Sequence, residues 1–172
     1  MWYISYVTLI ISQKNMKTPT TKISFESNGL KFKNITVSVN RNTGEPSYRT
    51  MRGVGQVIKQ YMKQRFPGVS YQMSTKSYSM GDSVTIYMND LKISKEVIEQ
   101  VSDTLQAQFE YGKFNSMEDI YEHKNDNGFI IDDKTGIKFD TKYLHVQRSP
   151  KFDTKEYYEY KAEMSKKSEA IA

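Results

Sequence analysis

The N-terminal part of the chain alternates apolar and polar residues in a way that predicts a β-hairpin. In 21–27 and 30–40 most apolar side chains lie two positions apart, as in strands with one buried face. Asn28-Gly29 separates the two segments, and this dipeptide favours a tight turn because both residues tolerate a positive φ. The polar segment 40–47 contains Gly and Pro and is predicted to be a connection.

The hydrophobic period then lengthens to that of a helix. The segment 51–66 is predicted to be helical because its apolar residues fall three or four positions apart; they are Val54, Val57, Ile58, Tyr61, Met62 and Phe66. Pro67-Gly68 ends this helix. A second helix is predicted after Ser94, a favourable N-cap residue. Its buried face is expected to consist of Val97, Ile98, Val101, Leu105 and Phe109.

Two short strands, 69–73 and 83–88, are predicted between the helices. The segment 74–83, which reads STKSYSMGDS, is predicted to be the loop that joins them. After the second helix we expect a short helical turn at 116–121 and a closing hairpin across 132–136.

From residue 33 onward the predicted order is strand, helix, strand, strand, helix, strand. This split βαβ order predicts a ferredoxin-like α+β fold, with one antiparallel sheet and both helices on one face.

We divide the chain into three parts. Segment 1–20 is either the first strand of the core or an extension upstream of Met16; its apolar part, residues 1–12, is too short to span a bilayer and lacks the features of a signal peptide. Residues 21–150 are predicted to form a single α+β domain, and the charged residues 151–172 a C-terminal helical tail. The sequence predicts no membrane association.

Charge is unevenly distributed along the chain. The protein has a net charge of +5, and the first 50 residues alone hold seven basic and two acidic side chains. We interpret this N-terminal region as a basic arm able to contact phosphates, formed by Lys22, Lys31, Lys33, Arg41 and Arg49. The remainder of the chain is balanced, as an ordinary solvated surface is.

Patterns that indicate catalysis or metal binding are weak. Cysteine is absent, which excludes disulfides, a thiolate metal site and a cysteine nucleophile. Acidic residues surround His123, but we interpret them as a solvated loop rather than a cation site. Gly53 and Gly55 form a Gly-x-Gly that lacks a closely preceding strand and a third glycine, so they suit a helix entry better than a phosphate loop. We predict no catalytic residue, metal or cofactor.

The loop 74–83 admits two interpretations. Gly81 suits a chain reversal, and Asp82 and Ser83 can bond nearby backbone N–H groups, which together describe an ordinary turn. The same loop would also present donors and one ring that could bind a phosphate or a peptide; these residues are Lys76, Ser77, Tyr78 and Ser79.

Three separated motifs resemble the large polyvalent protein associated domain 29 family over roughly residues 51–150. The first is VIKQYMKQRFPGVSYQMSTKSYSMGDSVTIYMND, which contains a Tyr-Ser-x-Gly-Asp-Ser turn between two strands. The second is YGKFNSMEDIYEH, which follows VIEQV, and the third is KYLHVQRS. Asn115-Ser116 departs from the Asp-Gly expected after Phe114, and Met88-Asn89 stands where an aromatic and a polar residue are expected.

The resemblance implies a domain carried by phages and conjugative elements, often inside very long multidomain proteins. Some of these proteins are thought to enter the recipient cell with the DNA and to blunt its defences. The family motifs fall on 77–83, on Phe114 to Tyr121 and on Arg148. Asp119 and Arg148 would either form a salt bridge or line a groove with the turn.

These observations lead to three expectations about function. The first is a non-enzymatic accessory binding domain of a mobile genetic element, acting in the bacterial cytoplasm on nucleic acid through the basic arm. The second is a protein that docks on a host defence protein and inhibits or scaffolds it. The third is a small enzyme, whose only candidate groups are the carboxylates near His123, with Asp82 and Arg148.

Overall fold

The computed structural model describes residues 18–90, 92–115, 120–123 and 129–150, together with residues 158–160, 162, 163 and 166. Most of the predicted N-terminal extension and of the predicted C-terminal tail lies outside this part of the chain. The described residues form antiparallel strand pairs that pack against helices, so the α+β class is confirmed.

The elements follow one another in this order: β1 (Thr20–Ser27), β2 (Leu30–Val39), β3 (Pro46–Arg49), α1 (Met51–Arg65), β4 (Tyr71–Tyr78), β5 (Gly81–Met88), α2 (Lys95–Phe109), β6 (Gly112–Asn115), β7 (Ile120–His123), β8 (Ile131–Asp132), β9 (Ile137–Lys138) and β10 (Tyr143–Arg148).

The N-terminal hairpin forms as predicted and belongs to a three-stranded antiparallel sheet, sheet A, with the order β1-β2-β3. Asn28 and Gly29 make its turn, with φ of 52° and 72°. Both values are positive, as the tight turn requires. The connection predicted over 40–47 is shorter than expected, because Pro46 already begins β3 and pairs with Val39.

Sheet B has the strand order β10-β5-β4. Its β4–β5 hairpin shows that the loop predicted for 74–83 is wrong. β4 and β5 pair without interruption from Tyr71↔Met88 to Tyr78↔Gly81. Only Ser79 and Met80 form the turn, so 74–83 is mostly strand. The error has a physical origin: in strands at a sheet surface, one face can be entirely polar, and in 74–83 that face carries hydroxyl side chains and Lys76.

The ferredoxin-like strand order is wrong. β10 pairs in parallel with β5, and β2 lies in sheet A rather than beside sheet B. Because α2 lies between β5 and β10, the chain makes a crossover of the kind that joins parallel neighbours. β2 has no edge to offer sheet B, since β1 occupies one edge and β3 and glutamine side chains of α1 occupy the other.

Both helices begin where a hydroxyl caps them. Thr50 accepts a hydrogen bond from Gly53 N at 2.9 Å, and Ser94 accepts one from Val97 N at 3.3 Å. The side chain of Val97 is 38% exposed, which corrects its predicted place on the buried face. Val97 lies in the first turn of α2, at the end of the helix away from the fully buried Leu105 and Phe109.

One hydrophobic core joins the two sheets and the two helices. Its fully buried members include Ile35 and Val37 of β2, Val57 and Ile58 of α1, Val84, Ile86 and Met88 of β5, Leu105 and Phe109 of α2, and Leu144 of β10. Tyr61 of α1 meets Phe109 of α2 edge to face, with ring centroids 5.3 Å apart. No helix in the described part of the chain is both long and apolar enough to cross a membrane.

Two short hairpins lie outside sheets A and B, and the described residues between 158 and 166 are helical. β8 and β9 pair across the turn at 133–136, so the predicted chain reversal forms, but each strand contributes only two residues and the following segment 143–148 pairs with β5 instead. The helical turn predicted for 116–121 is wrong at its C-terminal end, because Ile120 and Tyr121 belong to β7, which pairs with β6. Residues 116–119 lie outside the described part.

Candidate functional site

Strand alternation divides the predicted residues of the β4–β5 hairpin between two faces. Asp82 lies on the same side of β5 as the buried Val84, which faces the helices. Lys76 and Ser83 form a cross-strand pair on the opposite face. Tyr78 shares that opposite face, since it lies two positions from Lys76. The hairpin therefore does not gather its polar residues into one site: Ser77 pairs with Asp82, and Ser79 lies in the turn.

Gly81 is needed where it stands. Its φ is +150°, and a Cβ at this position would lie 2.6 Å from Cδ of Lys142. The Lys142 side chain then continues to the turn, where its Nζ donates to the carbonyl of Met80 at 3.1 Å. The glycine thus leaves room for a lysine that ties the start of β10 to the hairpin.

Asp82 is the centre of a half-buried polar junction. Two N–H groups of Arg49 donate to its Oδ2, each at 3.0 Å. Its Oδ1 accepts from the Thr141 hydroxyl at 2.9 Å and from the backbone N–H of Lys142 at 2.8 Å. These bonds join β3 of sheet A to β5 and to the entry of β10. Both oxygens of the Asp82 carboxylate therefore accept hydrogen bonds from within the protein.

Arg49 belongs to this junction and not to an exposed basic arm. Its Nε also pairs with Asp140 at 2.7 Å, and its side chain is only 10% exposed. Burial lowers the pKa of the guanidinium, but the charges of Asp140 and Asp82 outweigh that effect and raise the pKa above its ordinary value. The pKa of Tyr111 is also raised, first by burial and then by the same two carboxylates.

Arg148 lies away from the hairpin turn. Its register partner is Met88, whereas Ser83 pairs with Tyr143, so Arg148 is five residues farther along β10. At about 3.3 Å per residue that is roughly 16 Å. Its guanidinium donates to the carbonyl of Ile93 at 2.8 Å. A groove shared by Arg148 and the turn is therefore not formed, and Asp119 lies outside the described residues.

The remaining members of the predicted arm lie on the surface of sheet A. Lys22, Lys31 and Lys33 are exposed on β1 and β2, and Arg41 is exposed in the connection before β3. Lys31 pairs in register with Glu26. Four of the five predicted arm residues are therefore accessible.

Helix α1 adds a basic stripe that the sequence analysis missed. Arg52, Lys59 and Lys63 are exposed and stand at positions i, i+7 and i+11, which places them on one helix face. The helix contains no acidic residue. The basic residues of the stripe are visible in the sequence, but the net charge of 51–110 conceals them. The acidic residues of that segment all follow α1 and offset its basic residues in the sum.

A row of glutamines holds the stripe against β2. Gln60 accepts from the backbone N–H of Lys33 and donates to its carbonyl, both at 2.8 Å. Gln64 does the same with Lys31 at 3.3 and 3.0 Å. Gln56 accepts from Thr36 N at 2.8 Å. Spaced four residues apart, these side chains occupy an edge of β2 that another strand could otherwise pair with.

The stripe and β2 meet in a shallow cleft of about 470 Å³. Lys33 and Lys63 both line it, with Asn34 and the three glutamines. We name the basic face of Lys31, Lys33, Arg52, Lys59 and Lys63 the α1–β2 face. Such a surface can attract a polyanion. Among the described residues, no cluster of His, Asp and Glu has the geometry of a metal site.

Comparison with known proteins identifies the family. No curated protein and no solved structure is similar enough to be matched to the chain. The family model of the large polyvalent protein associated domain 29 matches residues 49–162. The match begins at Arg49 of the polar junction and covers α1, sheet B and α2. The resemblance predicted from the three motifs is therefore confirmed, and the chain belongs to the large polyvalent protein associated domain 29 family.

Proposed function

We propose that this chain is a nucleic-acid-binding accessory domain of a phage or other mobile genetic element, acting in the bacterial cytoplasm. The observation that carries the proposal is the α1–β2 face, where five exposed cations lie on two adjacent elements and two of them line one cleft. Family membership supports the mobile-element context.

The geometry of the face suits a phosphate backbone. Arg52 and Lys63 are eleven residues apart on α1, which is about 16 Å at 1.5 Å per residue. A duplex presents a negative charge about every 1.7 Å of its axis, so several phosphates can lie within reach of the stripe. Each contacted phosphate releases counterions, and five contacts would give log K against log [salt] a slope of about −4.5.

The test is a salt titration of binding by fluorescence anisotropy with a labelled DNA duplex. A triple variant, Lys33→Gln with Lys59→Gln and Lys63→Gln, should lower the magnitude of the slope by about 2.7, which is 0.9 for each lost phosphate contact. The control carries the same change of net charge elsewhere, at Lys92, Lys95 and Lys134, and should keep the original slope. Binding that is insensitive to salt, or equally weakened in both variants, would refute the proposal.

A second candidate is docking on a host defence protein. Three large apolar side chains are exposed around the Asp82 junction, namely Tyr48 at 64%, Tyr78 at 45% and Met80 at 79%. Exposed aromatic and methionine side chains are enriched at protein interfaces. Capture of one defined host protein by the wild-type domain, lost in Tyr48→Ser with Met80→Ser and kept in the lysine triple variant, would favour this candidate.

A further inference from the structure

The face of sheet B that points away from the helices has an unusual composition. The register places Lys76, Ser83 and Tyr143 in one row across the three strands. The next row holds Ser74, Thr85 and His145, and the one after it Gln72, Tyr87 and Gln147. Tyr78 extends the face at the hairpin end. We call these ten residues the outer face.

The outer face combines flat rings with hydrogen-bonding groups. Tyr78, Tyr87, Tyr143 and His145 supply four rings, whereas no aliphatic side chain and no carboxylate is present among the ten residues. The rings of Tyr143 and His145 are nearly parallel, at 9°, with centroids 6.5 Å apart. His145, Gln72, Gln147 and Lys76 are exposed, and the central Tyr87 is half-buried.

Positive charge accompanies the rings. Lys76 lies on the outer face, and the ammonium of Lys142 is 5.4 Å from the centroid of the Tyr143 ring. An aliphatic partner surface would gain little on a face without aliphatic side chains. An acidic ligand with flat, polar-edged rings is complementary in both charge and shape.

We propose that the outer face is a platform on which the bases of single-stranded nucleic acid stack. The proposal rests on the nucleic-acid function proposed above and names its substrate class. Bases in a duplex are stacked on one another and cannot meet a flat sheet, whereas unpaired bases can lie on aromatic side chains. The amides of Gln72 and Gln147 are placed to bond base edges, and Lys76 to meet a phosphate. The α1–β2 face then contributes sequence-independent attraction from another surface of the domain.

The test compares wild-type and variant binding to labelled oligothymidine and to a duplex of the same length. Tyr87→Leu combined with Tyr143→Leu should weaken single-strand binding by about 5- to 150-fold for each stacked base lost, the range that corresponds to 1–3 kcal/mol. The salt slope should stay unchanged, because no cation is removed. Tyr87→Phe with Tyr143→Phe keeps the rings and should retain the affinity.

Tyr48→Leu is the matched control, since it removes an exposed tyrosine from sheet A. It should leave single-strand affinity unchanged, and thermal melting of every variant checks the fold. Preference for the duplex, or equal affinity of the leucine and phenylalanine variants, would overturn the platform. The lysine triple variant separates the two proposals: if it weakens binding while the ring variants do not, the basic face stands and the platform falls. Absence of binding at any salt overturns both.

Discussion

The junction of Arg49, Asp82 and Asp140 makes a sharp prediction about stability. Arg49→Met keeps an apolar chain of similar length but leaves two carboxylates, 13% and 9% exposed, without the cation they share. Removing one partner of a buried pair costs about 3–5 kcal/mol. Asp82 would keep its bonds from Thr141 and Lys142, and Asp140 its pair with a lysine. We therefore expect a loss near the lower limit, about 3 kcal/mol.

The assay is urea and thermal unfolding followed by circular dichroism. For a protein of this size the expected loss lowers Tm by roughly 6–12 °C, at about 2–4 °C for each kcal/mol. Lys95→Met is the control, because the pair of Lys95 with Glu99 is 82% and 59% exposed. The control should lose no more than about 0.5 kcal/mol.

A double-mutant cycle isolates the pair itself. Arg49→Met with Asp82→Asn should be less destabilised than the sum of the two single variants, because removing both charges leaves no uncompensated carboxylate at Asp82. A loss below about 1 kcal/mol in Arg49→Met, similar to that of the surface control, would show that the junction is not the stabilising contact inferred from its burial.

Three further predictions concern α1. Gly53→Ala should destabilise the fold by about 2–3 kcal/mol, because its Cβ would collide with the backbone carbonyl of Thr36. Gly55→Ala should change stability by less than about 1 kcal/mol, since its Cβ meets only side-chain carbons at 3.1 and 3.3 Å and alanine favours the helix. Gln60→Ala should cost about 1 kcal/mol and accelerate hydrogen exchange at the amide of Lys33, measured by NMR; an unchanged exchange rate would contradict the pairing.

The sequence predicted correctly the elements that depend on residues close together in the chain. The hairpin at Asn28-Gly29 follows from two residues that tolerate positive φ, and α1 follows from a hydrophobic period that ends at Pro67-Gly68. The glycines of the Gly-x-Gly were correctly interpreted as a helix feature. Their specific reason, close approach of Gly53 to β2, depends on a contact far along the chain and is invisible in the local sequence.

The pairing of the strands could not be predicted from the sequence. The alternation of apolar and polar residues shows which face of a strand is buried, but not which strand lies beside it. β10 has the alternation of a closing strand, but the same pattern fits either direction beside β5. The exclusion of β2 from sheet B depends on β1 and β3 and also on Gln56, Gln60 and Gln64, whose spacing resembles that of any solvated helix face. Nothing in their residue type distinguishes a glutamine that faces water from one that bonds a strand edge.

Residue type alone also could not show that the residues predicted as one site lie on two opposite faces of the sheet. Tyr78, Asp82 and Ser83 are neighbours in a family motif, and polar type alone groups them as one site. In the fold the strand period separates them, so that Asp82 is saturated within the junction while Tyr78 and Ser83 lie on the outer face. A motif in a hairpin can therefore constrain both sides of a sheet at once. The buried side joins β5 to Arg49 through Asp82, whereas the exposed side places Tyr78 and Ser83 in register with the rings of the outer face.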